Sequence, residues 1–247
     1  MTVDNNFEPV AKATAVPRTE IRILLVYIGV LVAFAVLQGV LGSLLATDTW
    51  TALQQNTYQS TLNLFIYVIM TIVMLRVAKI YFFNNQWPLF IVRPRFSYGM
   101  VLLTLYLMLG FNLILNQWFL KFDLSGISAN ESAIRTMLQS SWYNALMVFF
   151  MIVVFAPIVE ELVFRKGFYQ LIARRFGHLA AIFLNALPFA LIHMLTELDN
   201  VVFIIPYYGM GIMLSFGYYY SGRLILVPIV AHSVMNLITF FAILFLF

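Results

Sequence analysis

The chain has no cysteine and very little charge, and both absences restrict what it can be. Without cysteine there is no disulfide framework, no thiolate metal site and no cysteine nucleophile. Charged residues make up only 10% of the sequence, against roughly 25% in an ordinary soluble domain, and hydrophobic residues make up 63%. The mean hydropathy is +0.93. This composition excludes a soluble globular protein and indicates a polytopic membrane protein.

Apolar runs of the length that crosses a bilayer, about 20 residues, recur along the chain. The polar residues 1–21 lack the apolar core and cleavage site of a signal peptide, so they are predicted to be a cytosolic tail. No internal repeat or low-complexity linker divides the rest, and residues 22–247 are predicted to form one transmembrane domain. We predict an all-α bundle of about seven transmembrane helices at residues 23–46, 60–82, 99–120, 142–164, 179–196, 201–220 and 224–246.

The basic residues are distributed unevenly between the predicted loops. Twelve of the fourteen lie in the N-terminal tail or in alternate connections, and the other side holds only Lys121 and Arg135. Because cytosolic loops are enriched in Lys and Arg, this asymmetry predicts a cytosolic N-terminus. The net charge of +4 therefore marks membrane orientation, and no basic patch interleaved with aromatic residues indicates a nucleic-acid partner.

Few ionisable side chains remain inside the apolar runs, and two of them are the adjacent carboxylates Glu160 and Glu161. A charged residue near the bilayer centre costs at least about 2.5 kcal/mol, so such residues indicate a functional site. Glu161 and Arg165 are four residues apart with the acid first, which predicts a supporting ion pair on one helix face. Glu160 projects about 100° away from that face and is free to meet other groups.

Two further runs carry polar side chains at the same helical spacing. Phe189 shares a helix face with His193, and His232 shares one with Asn236. A carboxylate in an apolar cavity can activate water as a general base, and we assign this role to Glu160. His193 would orient the water or protonate the leaving amine. His232 and Asn236 would donate hydrogen bonds to the oxyanion that forms when a peptide carbonyl is attacked.

The same side chains permit a second chemistry. Glu160, His193 and His232 are a common ligand set for a catalytic zinc ion, with water as the fourth ligand. The sequence contains no His-Glu-x-x-His motif that would favour a metal. Spacing therefore leaves open a metal-free and a zinc-dependent peptidase.

The depth of Glu160 in the membrane is the hardest feature to place from sequence. At 1.5 Å per residue, His193 lies about 21 Å and His232 about 12 Å from the predicted cytosolic ends of their helices. Glu160 reaches a matching depth only if its helix continues beyond the apolar run. We therefore expect either a long fourth helix or an elbow at Gly167.

These polar residues form an ordered set of motifs. Glu160-Glu161-x-x-x-Arg165, Phe189-x-x-x-His193 and His232-x-x-x-Asn236 resemble the successive signatures of the CPBP intramembrane proteases. That family includes the CAAX prenyl endopeptidases of the Rce1 type and bacterial Abi-type proteins. The resemblance covers residues 157–236 and implies a protease core at about 142–247.

The resemblance implies a glutamate-dependent, metal-free peptidase without a cofactor. By motif position, Glu160 would activate water, His193 would assist, and His232 with Asn236 would bind the oxyanion. Glu161 and Arg165 would support the site. Zinc stays open as an alternative cofactor.

The implied partners are the lipid bilayer and a peptide or membrane-protein substrate cleaved at the cytosolic side, and the implied location is a bacterial plasma membrane. Two functions of another class also remain open. A proton-coupled transporter uses buried carboxylates and histidines too, but usually shows inverted repeats. A non-catalytic membrane scaffold or immunity protein would be expected to have lost a motif residue, and the six polar motif residues are all present here.

Overall fold

The computed structural model describes residues 18–80, 84, 86–122, 124, 126–195 and 201–246. The predicted tail lies almost entirely outside these residues. Two π-helical segments, Phe150–Phe155 and Leu162–Phe168, flank the seventh α-helix, and Thr47–Thr49 and Val201–Phe203 form short 3₁₀ turns. The α-helices are α1 (Arg18–Leu44), α2 (Ala52–Ala78), α3 (Trp87–Val92), α4 (Pro94–Lys121), α5 (Ala129–Ser140), α6 (Trp142–Phe149), α7 (Ala156–Glu161), α8 (Tyr169–Leu184), α9 (Ala186–His193), α10 (Ile204–Tyr220) and α11 (Leu226–Leu246).

Among the described residues, six helical stretches are long and apolar enough to cross a membrane. The all-α, polytopic membrane fold predicted from composition is confirmed. The longest stretch has 43 residues, which is about twice the length needed to span a bilayer, so it cannot be one straight crossing. The six are Arg18–Leu44, Ala52–Ala78, Pro94–Lys121, Trp142–Leu184, Val201–Tyr220 and Leu226–Phe245.

The 43-residue stretch folds back on itself at Gly177, whose backbone (φ 82°, ψ 168°) is not helical. Glycine adopts positive φ at little cost, which explains the position of the turn. The turn is bridged by Tyr169, whose hydroxyl lies 3.1 Å from His178 Nδ1. The rings of Phe164 and Phe189 pack 5.0 Å apart. The chain before Gly177 therefore runs antiparallel to residues 178–193, which correspond to the predicted run 179–196.

Gly167, the elbow position expected from sequence, is not a turn. It lies inside the second π-helical segment and faces α1. A Cβ at this position would lie 2.8 Å from Leu24 Cδ2, so the missing side chain permits close helix packing. Of the two arrangements expected from the sequence, the long helix is the one found. The elbow at Gly167 is not, and the bend lies ten residues later, where positive φ is required.

Side-chain contacts identify the helix ends that lie together at one end of the bundle. Arg174 Nη2 forms a 2.6 Å ion pair with Glu20 Oε1 near the start of α1. Gln170 donates a 2.8 Å hydrogen bond to Tyr218 near the end of α10. We call this the basic end, because the start of α1, the Gly177 elbow and the end of α10 carry Arg18, Arg22, Arg174, Arg175 and Arg223.

Contacts between helices also give the direction of α4 and the position of α5 relative to this end. Gly217 of α10 faces Thr104 and Gly209 faces Phe111, so α10 and α4 are antiparallel and α4 starts at the basic end. At both positions the missing side chain permits the close approach of the two helices. At the opposite end, the Ser128 hydroxyl at the start of α5 lies 2.8 Å from that of Tyr207. We call this the α5 end.

Candidate active site

The helix that carries the two glutamates departs locally from α-helical geometry. The Ala156 N–H donates to the carbonyl of Met151, five residues back, as in a π-helix. In that register the Ile152 carbonyl would need an N–H from residue 157, and Pro157 has none. Asn236 of α11 instead donates from Nδ2 to the Ile152 oxygen at 2.8 Å. The proline and the π turn thus expose a carbonyl, and Asn236 satisfies it.

Glu160 and the two histidines meet at one point. Glu160 Oε2 lies 3.8 Å from Nε2 of His193 and 3.8 Å from Nε2 of His232. Both separations are too long for direct hydrogen bonds, but one water could bridge them. Glu160 Oε2 is buried and accepts no hydrogen bond from the described residues. The hairpin at Gly177 explains the common depth, since it brings residues 160 and 193 back beside each other.

The proton positions on the histidines follow from their neighbours. His193 Nδ1 lies 2.8 Å from the Phe189 carbonyl oxygen, which can only accept, so this nitrogen carries a proton. His232 Nδ1 lies 3.1 Å from Glu161 Oε1. An ionised carboxylate also only accepts, which assigns a proton there as well. When each imidazole is neutral, its Nε2 therefore presents a lone pair toward Glu160.

Glu161 makes two contacts in the fully buried part of the site. Its Oε2 lies 2.9 Å from Arg165 Nε, close enough for an ion pair although the two are not aligned for a hydrogen bond, and both side chains are 0% exposed. Arg165 Nη2 donates to Glu161 Oε1 at 3.4 Å. The same Oε1 is the atom that faces His232 Nδ1. Glu161 thus joins Arg165 to His232, and sequence spacing had indicated only the first of these contacts.

Asn185 fixes the far side of the arginine. Its amide is oriented with the oxygen toward Arg165 Nη1, at 2.7 Å, and with the nitrogen donating to the Phe164 carbonyl at 2.8 Å. This orientation is the one that pairs donors with acceptors. The ring of Phe189 lies 5.5 Å from the guanidinium carbon. Arg165 is therefore held by a carboxylate, an amide and an aromatic ring.

Aromatic rings enclose the histidines. The ring of Phe189 lies 4.8 Å from that of His193 and 6.1 Å from that of His232. Tyr207 of α10 stacks on His193, with ring centroids 4.6 Å apart and ring planes at 20°. These rings restrict both imidazoles to the orientations that direct Nε2 at Glu160.

Glu160, His193, His232 and Asn236 line one cavity of about 670 Å³. This volume falls in the range of ligand-binding pockets, about 300 to 1,000 Å³. Part of its wall comes from α1, α2 and α4. The cavity is large enough to admit several residues of a peptide beside the carboxylate.

The zinc alternative was tested against the same geometry. A tetrahedral zinc with ligand distances near 2.1 Å holds its ligand atoms about 3.4 Å apart, which is shorter than the 3.8 Å found here. Among the described residues, no group of three or more His, Cys, Asp or Glu side chains has the arrangement of a metal site. As placed, the two histidine nitrogens lie farther from the Glu160 oxygen than they would as ligands of one zinc ion.

Comparison with known proteins bears on the segment of the chain that holds this site. Residues 141–238 match the family model described as Type II CAAX prenyl endopeptidase Rce1-like. This segment is therefore similar to that family, and we call it the Rce1-like segment. The Rce1-like segment contains every residue of the candidate site, and the family resemblance read from the motifs is confirmed. No curated protein and no solved structure matches the chain.

The Rce1-like family is one of endopeptidases, which supports a membrane peptidase of the CAAX type with a peptide or protein substrate. Together with the apolar helices, it makes the chain a multi-pass membrane protein. Outside the Rce1-like segment, α1, α2, α4 and the start of α5 complete the cavity. The matched segment thus supplies the polar site, and the preceding helices supply much of its surroundings.

Three residues of the site were missed by sequence reasoning. Tyr207 stacks on His193, Asn185 binds Arg165, and Pro157 exposes the carbonyl that Asn236 binds. Asn185 could have been found, because an amide inside an apolar run carries the same signal as Asn236. The part played by Tyr207 had no such signal, since tyrosines are common throughout this chain.

Proposed function

We propose that the chain is an intramembrane endopeptidase in which Glu160 activates a water molecule against a peptide carbonyl. The observation that carries this proposal is the approach of two histidine Nε2 atoms to one buried Glu160 oxygen, at 3.8 Å each, in the wall of a peptide-sized cavity. The similarity of residues 141–238 to an endopeptidase family agrees with it.

In the proposed reaction a water lies between Glu160 and His193. The water oxygen bonds to the carbonyl carbon while Glu160 takes a proton from the water. His193 holds the water in position for this attack. The carbonyl oxygen becomes an oxyanion. When the tetrahedral intermediate collapses, the C–N bond breaks and the proton passes from Glu160 to the leaving amine.

His232 and Asn236 are proposed to bind the oxyanion. His232 can donate from Nε2 only when it carries a second proton, and its Nδ1 lies 3.1 Å from the carboxylate of Glu161. The Asn236 amide has two N–H groups, of which one is engaged by Ile152. The second N–H is the one assigned to the oxyanion.

The test is Glu160→Gln, which keeps the size of the side chain and removes its basicity. With a library of quenched fluorescent peptides and purified protein in proteoliposomes, we expect cleavage to fall by about 10² to 10⁴-fold. The thermal unfolding midpoint should stay close to that of the parent, because Glu160 Oε2 accepts no hydrogen bond from the described residues. Asp48→Asn, an exposed carboxylate distant from the cavity, is the matched control. A Glu160→Gln protein that cleaves as fast as the control would refute the mechanism.

A zinc-dependent peptidase using the same residues is the second candidate, because the lone pairs of two histidines face one carboxylate. Chelation separates the two mechanisms. Full cleavage after dialysis against a strong chelator supports the metal-free reaction. Stoichiometric zinc in the purified protein, with activity lost on its removal and restored by its return, would establish the metal reaction instead.

A further inference from the structure

We propose that three side chains of α1 and α2, Tyr27, Asn63 and Tyr67, bind the main-chain carbonyl groups of a peptide held beside Glu160. This binding role rests on the peptidase function above and adds residues that contact the substrate. All three lie outside the Rce1-like segment. Three observations support the role: the place of these side chains in the cavity wall, their unused hydrogen-bond donors, and the spacing of the donors along α2.

One face of α1 and one face of α2 line the cavity that holds Glu160. The α1 face carries Tyr27, and the α2 face carries Asn63 and Tyr67, which are one helical turn apart. Both phenol groups lie close enough to the Glu160 carboxylate to interact with it electrostatically, and Tyr27 interacts with Tyr67 in the same way. The two phenol rings therefore lie beside the proposed reaction centre.

The two helices bring the phenol rings to similar depths. α1 and α2 are antiparallel, because Gln38 toward the end of α1 donates a hydrogen bond to Gln59 toward the start of α2. Tyr27 lies nine residues after the start of α1, and Tyr67 lies eleven residues before the end of α2. At a rise of 1.5 Å per residue, these positions are about 14 and 17 Å from the same end of the bundle. Both rings can therefore contact neighbouring units of one bound peptide.

Each of the three side chains has a hydrogen-bond donor that no described residue uses. The hydroxyl groups of Tyr27 and Tyr67 make no hydrogen bond with the described part of the chain. The Asn63 amide oxygen accepts a 3.0 Å hydrogen bond from Gln59 Nε2, and Gln59 is itself held by Gln38. These bonds leave the two N–H groups of Asn63 free to donate. Because buried polar groups are normally hydrogen-bonded, unused donors in a cavity wall indicate a ligand with acceptor atoms.

The spacing of the donors on α2 fits an extended peptide. Carbonyl groups on one side of an extended strand recur at every second residue, about 6.6 Å apart. Asn63 and Tyr67 are four residues apart, which corresponds to a rise of about 6 Å along the helix. The two donors can therefore bind successive carbonyl groups on one side of the same strand. Binding of this kind does not select a side chain, and no lysine or arginine of the described chain lines the cavity.

Tyr67→Phe tests the hydroxyl group, because it removes the donor and keeps the ring. Tyr58→Phe is the matched control. Tyr58 lies on the same helix, its hydroxyl also lacks a partner among the described residues, and it does not line this cavity. With the quenched peptide that the parent cleaves best, we expect Tyr67→Phe to raise KM about tenfold, the effect of one lost hydrogen bond, while kcat changes less than twofold. Tyr58→Phe should change neither constant.

Two results of these measurements would contradict a binding role. One is an equal effect of the two substitutions on KM, and the other is a loss confined to kcat. The thermal unfolding midpoint should be the same for both variants, since neither hydroxyl holds another described residue. A lower midpoint for Tyr67→Phe alone would show a structural role of the hydroxyl and overturn the proposal.

Peptide binding without cleavage separates this wall from the peptidase mechanism. In a Glu160→Gln background, purified protein is titrated into a fluorescein-labelled hexapeptide of alternating alanine and serine, and fluorescence anisotropy gives Kd. We expect Asn63→Leu and Tyr67→Phe each to raise Kd about tenfold and Tyr58→Phe to leave it unchanged. No measurable binding, or an unchanged Kd in the first two variants, would overturn the proposal. The expected changes of Kd in a protein whose parent cleaves no peptide would contradict the peptidase function and leave the binding wall standing.

Discussion

The buried ion pair of Glu161 and Arg165 makes a quantitative prediction about stability. Both side chains are 0% exposed, and their nearest nitrogen and oxygen atoms lie 2.9 Å apart. Removing one partner of such a pair strands the other charge, which costs about 3 to 5 kcal/mol. In Arg165→Met the carboxylate of Glu161 keeps His232 Nδ1 at 3.1 Å. We therefore expect the loss of unfolding free energy to be near the lower limit, about 3 kcal/mol.

The reverse change should cost less. In Glu161→Gln, Arg165 retains the Asn185 oxygen at 2.7 Å and the Phe189 ring, and the new amide oxygen can still accept a hydrogen bond. We expect a loss of about 2 kcal/mol, because a hydrogen bond to a charged group contributes about 1.5 to 3 kcal/mol. The double variant strands neither charge. Its loss should be at least about 1.5 kcal/mol smaller than the sum of the two single losses.

The assay is unfolding of the purified protein by increasing the fraction of sodium dodecyl sulfate in mixed micelles, for the parent, both single variants and the double variant. Unfolding free energies at a common detergent fraction complete the double-mutant cycle. Additivity of the two single losses within about 0.5 kcal/mol would refute the reasoning. It would mean that each charge is solvated independently and that the 2.9 Å contact does not act as a pair.

Two further predictions concern helix packing and the exposed carbonyl. Gly217→Ala would place a Cβ against Thr104 Oγ1, closer than van der Waals contact, and should cost about 1 to 3 kcal/mol in the same assay, whereas Gly110→Ala, with nothing within 4 Å, should be close to neutral; equal effects would contradict the close approach. Asn236→Leu should cost about 1 kcal/mol, and less in a Pro157→Ala background, where residue 157 regains an N–H for the exposed carbonyl; an unchanged cost would show that Asn236 does not replace the missing donor.

Much of the fold followed from the sequence because membrane helices depend on local composition. Apolar runs predicted the spanning helices, and the i, i+4 spacing of Glu161 and Arg165 predicted a pair that the structure places at 2.9 Å. The position of the elbow did not follow. Gly167 and Gly177 look equivalent in sequence, and only tertiary packing separates a glycine that admits α1 from one that needs positive φ.

Two aspects of the site could not have been read from spacing. The π-helical segment before Pro157 changes which N–H each carbonyl meets. Predictions from spacing assume a regular α-helix with 3.6 residues per turn throughout. The second contact of Glu161, to His232, joins residues 71 positions apart. Helical geometry divided the two carboxylates between two faces. It could not show that α11 would lie near enough to contact both.

The hairpin at Gly177 also limits how the length of this part of the chain can change. Glu160 lies 17 residues before the turn and His193 lies 16 after it, so the two arms are nearly equal. One residue inserted into either arm would rotate its polar side chain by about 100° and shift it by about 1.5 Å. Insertions would be tolerated in the connection at residues 45–51, where no such register applies. The distance in sequence between Glu160 and His193 is thus as much a part of the site as the two side chains.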